Sequence, residues 1–169
     1  QDTLRYRNKA QYPVSADGTV GFYRARTHEV IECRHCLLVR PEAEAAAEAL
    51  RGYMQACRVT GYDERTGRGL IRHLYVRSNA AGESLICVLV NGGGLPEEEK
   101  LVALLRAACP ECVGIVLGTN TKKGNVILGD RYRTLWGEAW IEDTLCGRAF
   151  RLSVPSFYQV NRAQAERLY

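Results

Sequence analysis

The sequence has no hydrophobic run long enough to cross a membrane and no recognisable catalytic constellation. Its longest apolar stretches, such as residues 85–90 and 113–117, have the length of a β-strand, well below the roughly 18 residues of a membrane-spanning helix. No basic segment followed by an apolar one opens the chain, as a secretion signal would. The three histidines are scattered, and no Ser-His-Asp, Cys-His or His-Glu-x-x-His pattern is visible. These absences predict a cytoplasmic protein without membrane association and without a self-contained active site.

The seven cysteines are an odd number in a chain without an export signal, which predicts reduced thiols rather than a disulfide framework. Two pairs have the C-x-x-C spacing that presents two thiolates to one metal ion: Cys33 with Cys36, and Cys109 with Cys112. However, 72 residues separate the two pairs, whereas a zinc ribbon places them about 15–20 residues apart. A metal-binding module is one hypothesis, and core packing of Cys109 and Cys112 is the other.

Positive charge is in modest excess, with 23 lysines and arginines against 19 acidic residues and a net charge of +4. Basic residues are concentrated near the start of the chain, where Arg5, Arg7 and Lys9 alternate with other residues, and again over residues 122–133. This balance permits an anionic partner such as a nucleic acid. Solvated surface charge is the more common explanation for any one of these clusters taken alone.

Hydrophobic periodicity predicts an α+β fold. Helices are expected to begin at Pro41 and Pro96, where a missing N–H costs nothing, and the second is expected to end before Pro110. Strands are predicted over residues 1–14, 20–25, 30–33, 70–77, 84–91, 113–118, 125–128, 133–136 and 150–154. This order favours a mainly antiparallel sheet with two helices on one face, a split βαβ or ferredoxin-like core with flanking strands. The opposite face of the sheet is expected to be left for another domain or a ligand.

The end of the sequence predicts the start of a third helix. Asn161 is a suitable N-cap, with Gln164 at the position of a capping-box partner. Only about two turns follow, and an isolated helix of that length is not stable in water. We therefore expect the chain to be a piece of a longer protein, cut at the edge of another folded unit.

Several segments occur in the order found in one enzyme family. They are, in order, residues 6–11 (YRNKAQ), 21–23 (GFY), 31–36 (IECRHC), 113–117 (VGIVL) with Asn120, and 157–161 (FYQVN). Together they resemble the S-adenosylmethionine-dependent RNA (uracil-5-)-methyltransferases, which make 5-methyluridine in 23S ribosomal RNA and in transfer RNA. The resemblance spans nearly the whole chain and is greater to the ribosomal RNA branch.

The resemblance implies a domain organisation. Members of the family usually have an N-terminal TRAM domain, a central α/β domain and a Rossmann-like methyltransferase domain. Residues 1–154 resemble the central domain, and residues 155–169 resemble the linker and the first residues of the catalytic domain. The Gly-rich cofactor loop, the base and the nucleophilic cysteine in its Cys-Pro-Pro-Arg context do not occur in this sequence. We therefore expect no catalytic residue in this chain and no methyl transfer by the chain alone.

The resemblance also implies roles for individual residues. Gln159 matches a glutamine that contacts the methionine part of S-adenosylmethionine. Phe157 matches an aromatic residue near the flipped target base, where stacking replaces the stacking lost on extrusion. Arg7 and Lys9 match a basic strand that faces the RNA, where positive charge holds phosphates. The expected partner is therefore ribosomal RNA.

A fourth implied role concerns a metal cluster. Some family members hold a [4Fe–4S] cluster with three cysteines upstream and a fourth at the position that Cys36 matches. The other three ligands would precede Gln1, so we expect no cluster to assemble in this chain. The resemblance suggests no role for Cys33, Cys109 or Cys112. Besides the metal-binding module, a purely structural domain that positions its neighbours remains an alternative.

Overall fold

The computed structural model describes residues 3–124 and 126–169, which form nine strands and three helices. The strands are β1 (Lys9–Pro13), β2 (Gly21–Tyr23), β3 (Val30–Glu32), β4 (Ile71–Ser78), β5 (Ser84–Val90), β6 (Cys112–Thr119), β7 (Arg131–Gly137), β8 (Trp140–Leu145) and β9 (Arg148–Ser153). The helices are α1 (Pro41–Cys57), α2 (Glu98–Ala108) and α3 (Arg162–Leu168). Within this described part of the chain, each helix is too short or too polar to cross a membrane.

The two long helices begin and end for local reasons that the sequence shows. α1 begins at Pro41 as predicted, and it ends where Arg58 adopts a left-handed conformation with φ 53°. α2 begins at Glu98, two residues after the predicted start, because Glu97 also adopts a left-handed conformation, with φ 48°. It ends before Pro110, as predicted.

The main sheet has five strands in the order β1-β4-β5-β6-β7. Adjacent strands in this sheet are antiparallel, except for β5 and β6. These two strands are parallel and are joined by α2. The predicted α+β class with a mainly antiparallel sheet is thus confirmed. The ferredoxin-like detail is not confirmed, because β5 and β6 pair directly and no strand lies between them.

The two faces of this sheet carry separate hydrophobic cores. On one face, α1 and α2 pack with Leu50 and Leu101 against residues such as Ile86 and Val88. On the other face, the β8–β9 hairpin and α3 cover Leu85, Cys87, Leu89 and Val116. The two long helices therefore lie on one face, as predicted, but the prediction that the opposite face is left for another domain or a ligand is wrong for the area that β8, β9 and α3 cover.

The strand predictions fail mainly between β6 and β9. The predicted strand 125–128 is not found at residues 126–128, and Asn125 lies outside the described residues. Instead, the Asn120 side chain donates hydrogen bonds to the carbonyls of Val126 and Ile127, which fixes these residues as a loop. The strand β8 was not predicted. The strand predicted over residues 1–14 is observed only as the shorter β1. Residues 1 and 2 of that prediction lie outside the described residues.

The close approach of β6 to the turn after β7 gives a stability test. A Cβ atom on Gly114 would lie 1.8 Å from the backbone oxygen of Glu138, so Gly114→Ala should destabilise the fold by about 1–3 kcal/mol or more. Gly52, exposed in the interior of α1, has no atom within 4 Å of such a Cβ. Gly52→Ala should therefore stabilise by about 0.4–1 kcal/mol. Urea unfolding of both variants measures the difference, and equal stabilities would contradict this packing.

Candidate functional site

The first residues of the chain lie against its last segment. The backbone N–H of Asn8 donates to the Val160 carbonyl at 3.0 Å, and its side-chain amide donates to the Gln159 carbonyl at 3.0 Å. Arg7 forms isolated bridges with both Asn161 and Val39. These bonds place residues 7–8 between the segment before α1 and the segment before α3, although 151 positions separate Asn8 from Gln159 in the sequence.

A cavity of about 400 Å³ lies beside this junction, and we call it the basic cavity. Arg7, Lys9 and Cys36 line it, together with apolar side chains that include Phe22 and Leu38. Arg7 and Lys9 alternate around Asn8, whose own side chain is buried toward the protein. The structure thus brings together three of the residues that the sequence suggested for RNA or metal binding.

The basic cavity lies next to a buried arginine, Arg77, which the sequence did not predict as a site residue. Arg77 is opposite Lys9 in the β1–β4 register and is 1% exposed. Its guanidinium donates to the Tyr75 hydroxyl and to the Ser156 carbonyl, while its buried Nη1 has no hydrogen-bond partner among the described residues. A charged residue in an alternating strand is normally exposed, so the sequence contained no signal that Arg77 would be buried.

Positive charge at this position is not neutralised within the described part of the chain. None of the ion pairs found there includes Arg7, Lys9 or Arg77. Burial lowers the pKa of Lys9, and the charges of Arg77 and Arg7 lower it further. Such a site favours an anion, because an anion relieves the mutual repulsion of the three cations.

The other two predicted residues line a second cavity, of about 370 Å³, which we call the apolar cavity. It includes Phe157 and Gln159 together with Phe150, Tyr158 and Tyr169. Tyr158 is buried against the second core, so its neighbour Phe157 is turned outward and is 82% exposed. An aromatic ring that exposed is available for stacking. The predicted residues therefore divide between two cavities, which the Asn8 hydrogen bonds connect.

The two C-x-x-C pairs do not form one metal site. The described residues contain no group of three His, Cys, Asp or Glu side chains that could hold a metal ion. Cys109 and Cys112 are buried in the first core, and their thiols donate to backbone carbonyls of Glu42 and Gly114. Burial raises the pKa of Cys109 to about 12 and also raises that of Cys112. Both are therefore packed thiols, as predicted.

Cys33 and Cys36 are half-buried, between β3 and α1. Burial raises the pKa of Cys33, and the neighbouring Cys36 raises it further. Two thiols are too few to complete the donor set of a [4Fe–4S] cluster, and within the described residues there is no third ligand beside them. The residues present do not by themselves fit the cluster that the sequence resemblance implied.

The chain is similar to several curated proteins over its whole length, although no family model matches it. It is 40% identical to an uncharacterized RNA methyltransferase of Listeria innocua and 35% identical to one of Clostridium acetobutylicum, in both cases over 100% of the chain. A third such protein, from Halalkalibacterium halodurans, is 37% identical over 98% of the chain. The chain spans 37–38% of the length of these relatives.

A solved structure has the same fold. The tRNA (uracil-54, C5)-methyltransferase of Pyrococcus abyssi, in complex with S-adenosyl-L-homocysteine, superimposes with a TM-score of 0.80. The match covers 99% of this chain and 40% of that one, at 20% sequence identity. These findings confirm the resemblance that the sequence motifs indicated: the relatives are RNA methyltransferases, and the fold is one that a uracil-5-methyltransferase has.

Asn8 provides a test of the junction between the two cavities. Asn8→Ala removes the side-chain bond to Gln159, at a cost of about 1 kcal/mol, and should increase amide hydrogen exchange over residues 157–161. Asn91→Ala is a matched control, because this side chain also donates to backbone carbonyls, but in the loop at Gly67 and Gly69. Exchange in segment 157–161 that is the same in both variants would contradict the proposed role of Asn8.

Proposed function

We propose that this chain is the RNA-recognising central part of an S-adenosylmethionine-dependent RNA (uracil-5-)-methyltransferase that forms 5-methyluridine in 23S ribosomal RNA. The proposal is based on the hydrogen bonds of Asn8 to Gln159 and Val160, which form the junction between the two cavities. It joins a cavity with unpaired positive charge to a segment that presents an exposed aromatic ring and Gln159. The similarity to RNA methyltransferases over the whole chain supports the same reaction class.

The basic cavity is the proposed contact with the RNA backbone. Arg7 and Lys9 have no acidic partner among the described residues, and the buried charge of Arg77 lies behind them. Phosphate oxygens are the ligands that such a site favours, since they accept hydrogen bonds and compensate the charge. This contact positions the RNA, and recognition of the bases has to come from other side chains.

The apolar cavity is the proposed contact with the target base and the cofactor. Phe157 is exposed and can stack on an extruded uracil. Gln159 carries an amide that can donate to and accept from the polar groups of the methionine part of S-adenosylmethionine. The cavity of about 370 Å³ accommodates a fraction of these two ligands, so we propose that a further domain supplies the remaining contacts.

Catalysis is assigned to parts of the parent protein that this chain does not contain. The sequence has no cysteine in a Cys-Pro-Pro-Arg context, and the chain spans less than two fifths of its curated relatives. We propose that the chain alone is inactive and that the parent protein is cytoplasmic, with a Rossmann-like methyltransferase domain and a TRAM domain.

If the parent holds a [4Fe–4S] cluster, Cys36 is the proposed fourth ligand and the other three come from elsewhere. A metal-binding module built from both C-x-x-C pairs is not supported, because the described residues provide no set of three ligands.

RNA binding by the basic cavity can be measured on the 169-residue chain. Arg7→Ala and Lys9→Ala should each weaken binding to unpaired RNA and reduce the slope of log K against log salt by about 0.7. Lys100→Ala is the matched control, because Lys100 lies on α2 and pairs with Glu97. The measurement is a filter-binding or anisotropy titration between low and moderate salt. Equal effects of Lys100→Ala and Lys9→Ala would remove the basic cavity from the proposal.

The role of Gln159 is tested in the parent enzyme. Gln159→Ala should raise the KM for S-adenosylmethionine about tenfold or more, because a hydrogen bond to a charged group contributes about 1.5 kcal/mol or more. Gln164→Ala, on the exposed surface of α3, is the control and should leave this KM unchanged. Steady-state methylation of a 23S rRNA fragment and of a tRNA also compares the two substrate classes. Unchanged KM in Gln159→Ala would exclude the cofactor contact, and preference for tRNA would exclude ribosomal specificity.

A further inference from the structure

Arg77 connects the basic cavity with the apolar cavity, as Asn8 does, but through a side chain that carries a charge. Its guanidinium donates to the carbonyl of Ser156, the residue before Phe157, which lines the apolar cavity. On its other side, Arg77 is opposite Lys9 in the β1–β4 register, and Lys9 lines the basic cavity. One buried side chain therefore holds the segment of one cavity and adjoins the charge of the other.

The hydrogen bonds of Arg77 fix its guanidinium without neutralising it. Besides the Ser156 carbonyl, the acceptor is the Tyr75 hydroxyl, to which Nε and Nη2 both donate. Burial raises the pKa of Tyr75, against the opposing charge of Arg77, so the phenol is uncharged at pH 7. None of the ion pairs in the described part of the chain includes Arg77. A side chain that is 1% exposed thus keeps its full positive charge.

A buried cation without a counter-charge is unfavourable, because burial removes the water that stabilises it. Two further cations, Arg7 and Lys9, line the cavity beside Arg77. Side chains directly opposite each other on paired strands have Cβ atoms about 4.5–5.5 Å apart, so Lys9 and Arg77 repel each other. The lowered pKa of Lys9 reflects this, since its causes are burial and then the charges of Arg77 and Arg7. An anion therefore stabilises the folded arrangement of these three cations.

An anion held by Arg7 and Lys9 acts on Arg77 without touching it. The Nη1 of Arg77 is buried, so a ligand in the basic cavity cannot hydrogen-bond to it. The attraction acts instead through the protein interior, where charges interact more strongly than in water. It is strongest while the guanidinium is buried against Ser156, and it weakens when this contact opens and water enters. Binding of the anion therefore stabilises the closed contact relative to the open one.

We propose that Arg77 is a positioning residue that couples the two cavities. A phosphate of the RNA in the basic cavity strengthens the hold of Arg77 on the Ser156 carbonyl, and this fixes the following residues, 157–159, for the target base and the cofactor. The inference rests on the proposed function, because it takes the basic cavity as the contact with the RNA backbone. Coupling of two sites is reciprocal, so a ligand on residues 157–159 should in turn tighten the binding of phosphate.

The first experiment follows the Arg77 side chain by NMR in the unaltered 169-residue chain. The probes are a short abasic oligomer, which offers phosphates without bases, and uridine, which offers a base without a phosphate. The oligomer should shift the signal of the Arg77 Nε–H in a saturable manner and slow its hydrogen exchange at least about fivefold. Uridine alone should not shift this signal as the oligomer does, because it brings no negative charge to the basic cavity.

Arg72 is the matched control for this titration. It is also buried, at 3% exposure, and it also donates to backbone carbonyls, those of Asn120 and Lys122. However, it lies at the opposite end of β4 from Arg77, so its Nε–H should not respond to the oligomer. Equal responses of the two arginines, or no response of Arg77 to an oligomer that binds, would overturn the inference.

The second experiment separates coupling by charge from a purely structural role. Arg77→Gln keeps a donor for the Ser156 carbonyl but removes the charge, whereas Arg77→Lys keeps the charge. The oligomer should slow amide exchange over residues 156–160 at least about fivefold in the unaltered chain, measurably in Arg77→Lys, and not in Arg77→Gln. Equal slowing in Arg77→Gln and in the unaltered chain would mean that Arg77 is only a structural bracket. If Arg77→Gln does not fold by circular dichroism, the Nε–H titration decides, since it needs no variant.

Lys9→Ala and Arg7→Ala distinguish failure of this inference from failure of the proposed function. Suppose that oligomer binding needs Lys9, but neither the Arg77 signal nor exchange over residues 156–160 responds. The coupling is then refuted, and the basic cavity remains the contact with the RNA. If instead both alanine variants bind the oligomer as the unaltered chain does, the basic cavity itself is refuted, and the inference with it.

Discussion

The candidate site depends on the hydrogen bonds of Asn8. Its backbone carbonyl accepts from Ser78 at the end of β4, its N–H donates to Val160, and its side chain donates to Gln159. Asn8 therefore connects the main sheet to the segment before α3, and the hydrogen bond from Arg77 in β4 to the Ser156 carbonyl makes a second connection. Because Asn8 is 5% exposed, these bonds are shielded from water, and alternation along the backbone turns Arg7 and Lys9 away from it. These bonds bring the basic cavity beside segment 157–161, in which the burial of Tyr158 in the second core turns Phe157 outward.

A second constraint is the burial of the sheet on both sides. All residues of β4 and β5 are buried, and separate cores cover their two faces. Polar groups within these strands therefore have to be satisfied inside the protein or by a ligand. Arg77 is largely satisfied by Tyr75 and Ser156. Both ring nitrogens of His73 lack a hydrogen-bond partner within the described residues, and burial lowers the pKa of this imidazole to about 4, so that it is neutral at pH 7.

The sequence predicted those elements whose local patterns are strong. Pro41 and the apolar spacing after it located α1, and Asn161 was correctly predicted to cap α3, where its side chain accepts from the Gln164 N–H. The loop at residues 126–128 was mistaken for a strand because Ile127 and Leu128 are apolar. They pack against the second core without strand pairing, while Asn120 holds the backbone of Val126 and Ile127. The proximity of Arg7 and Asn8 to segment 157–161 could not be obtained from periodicity, since it depends on pairing across nearly the whole chain. The burial of Arg77 and the shift in the β4–β5 register between Ile71 and His73 likewise arise from tertiary packing.

We propose that RNA binds across the basic cavity and the apolar cavity, which includes the exposed ring of Phe157. The most direct measurement is photo-crosslinking of the 169-residue chain to a single-stranded 23S rRNA fragment that contains 4-thiouridine, followed by mass-spectrometric mapping of the modified peptides. Adducts are expected on peptides that contain residues 7–9 and 157–159. Adducts confined to the outer surfaces of α1 and α2, with none on these two segments, would contradict it.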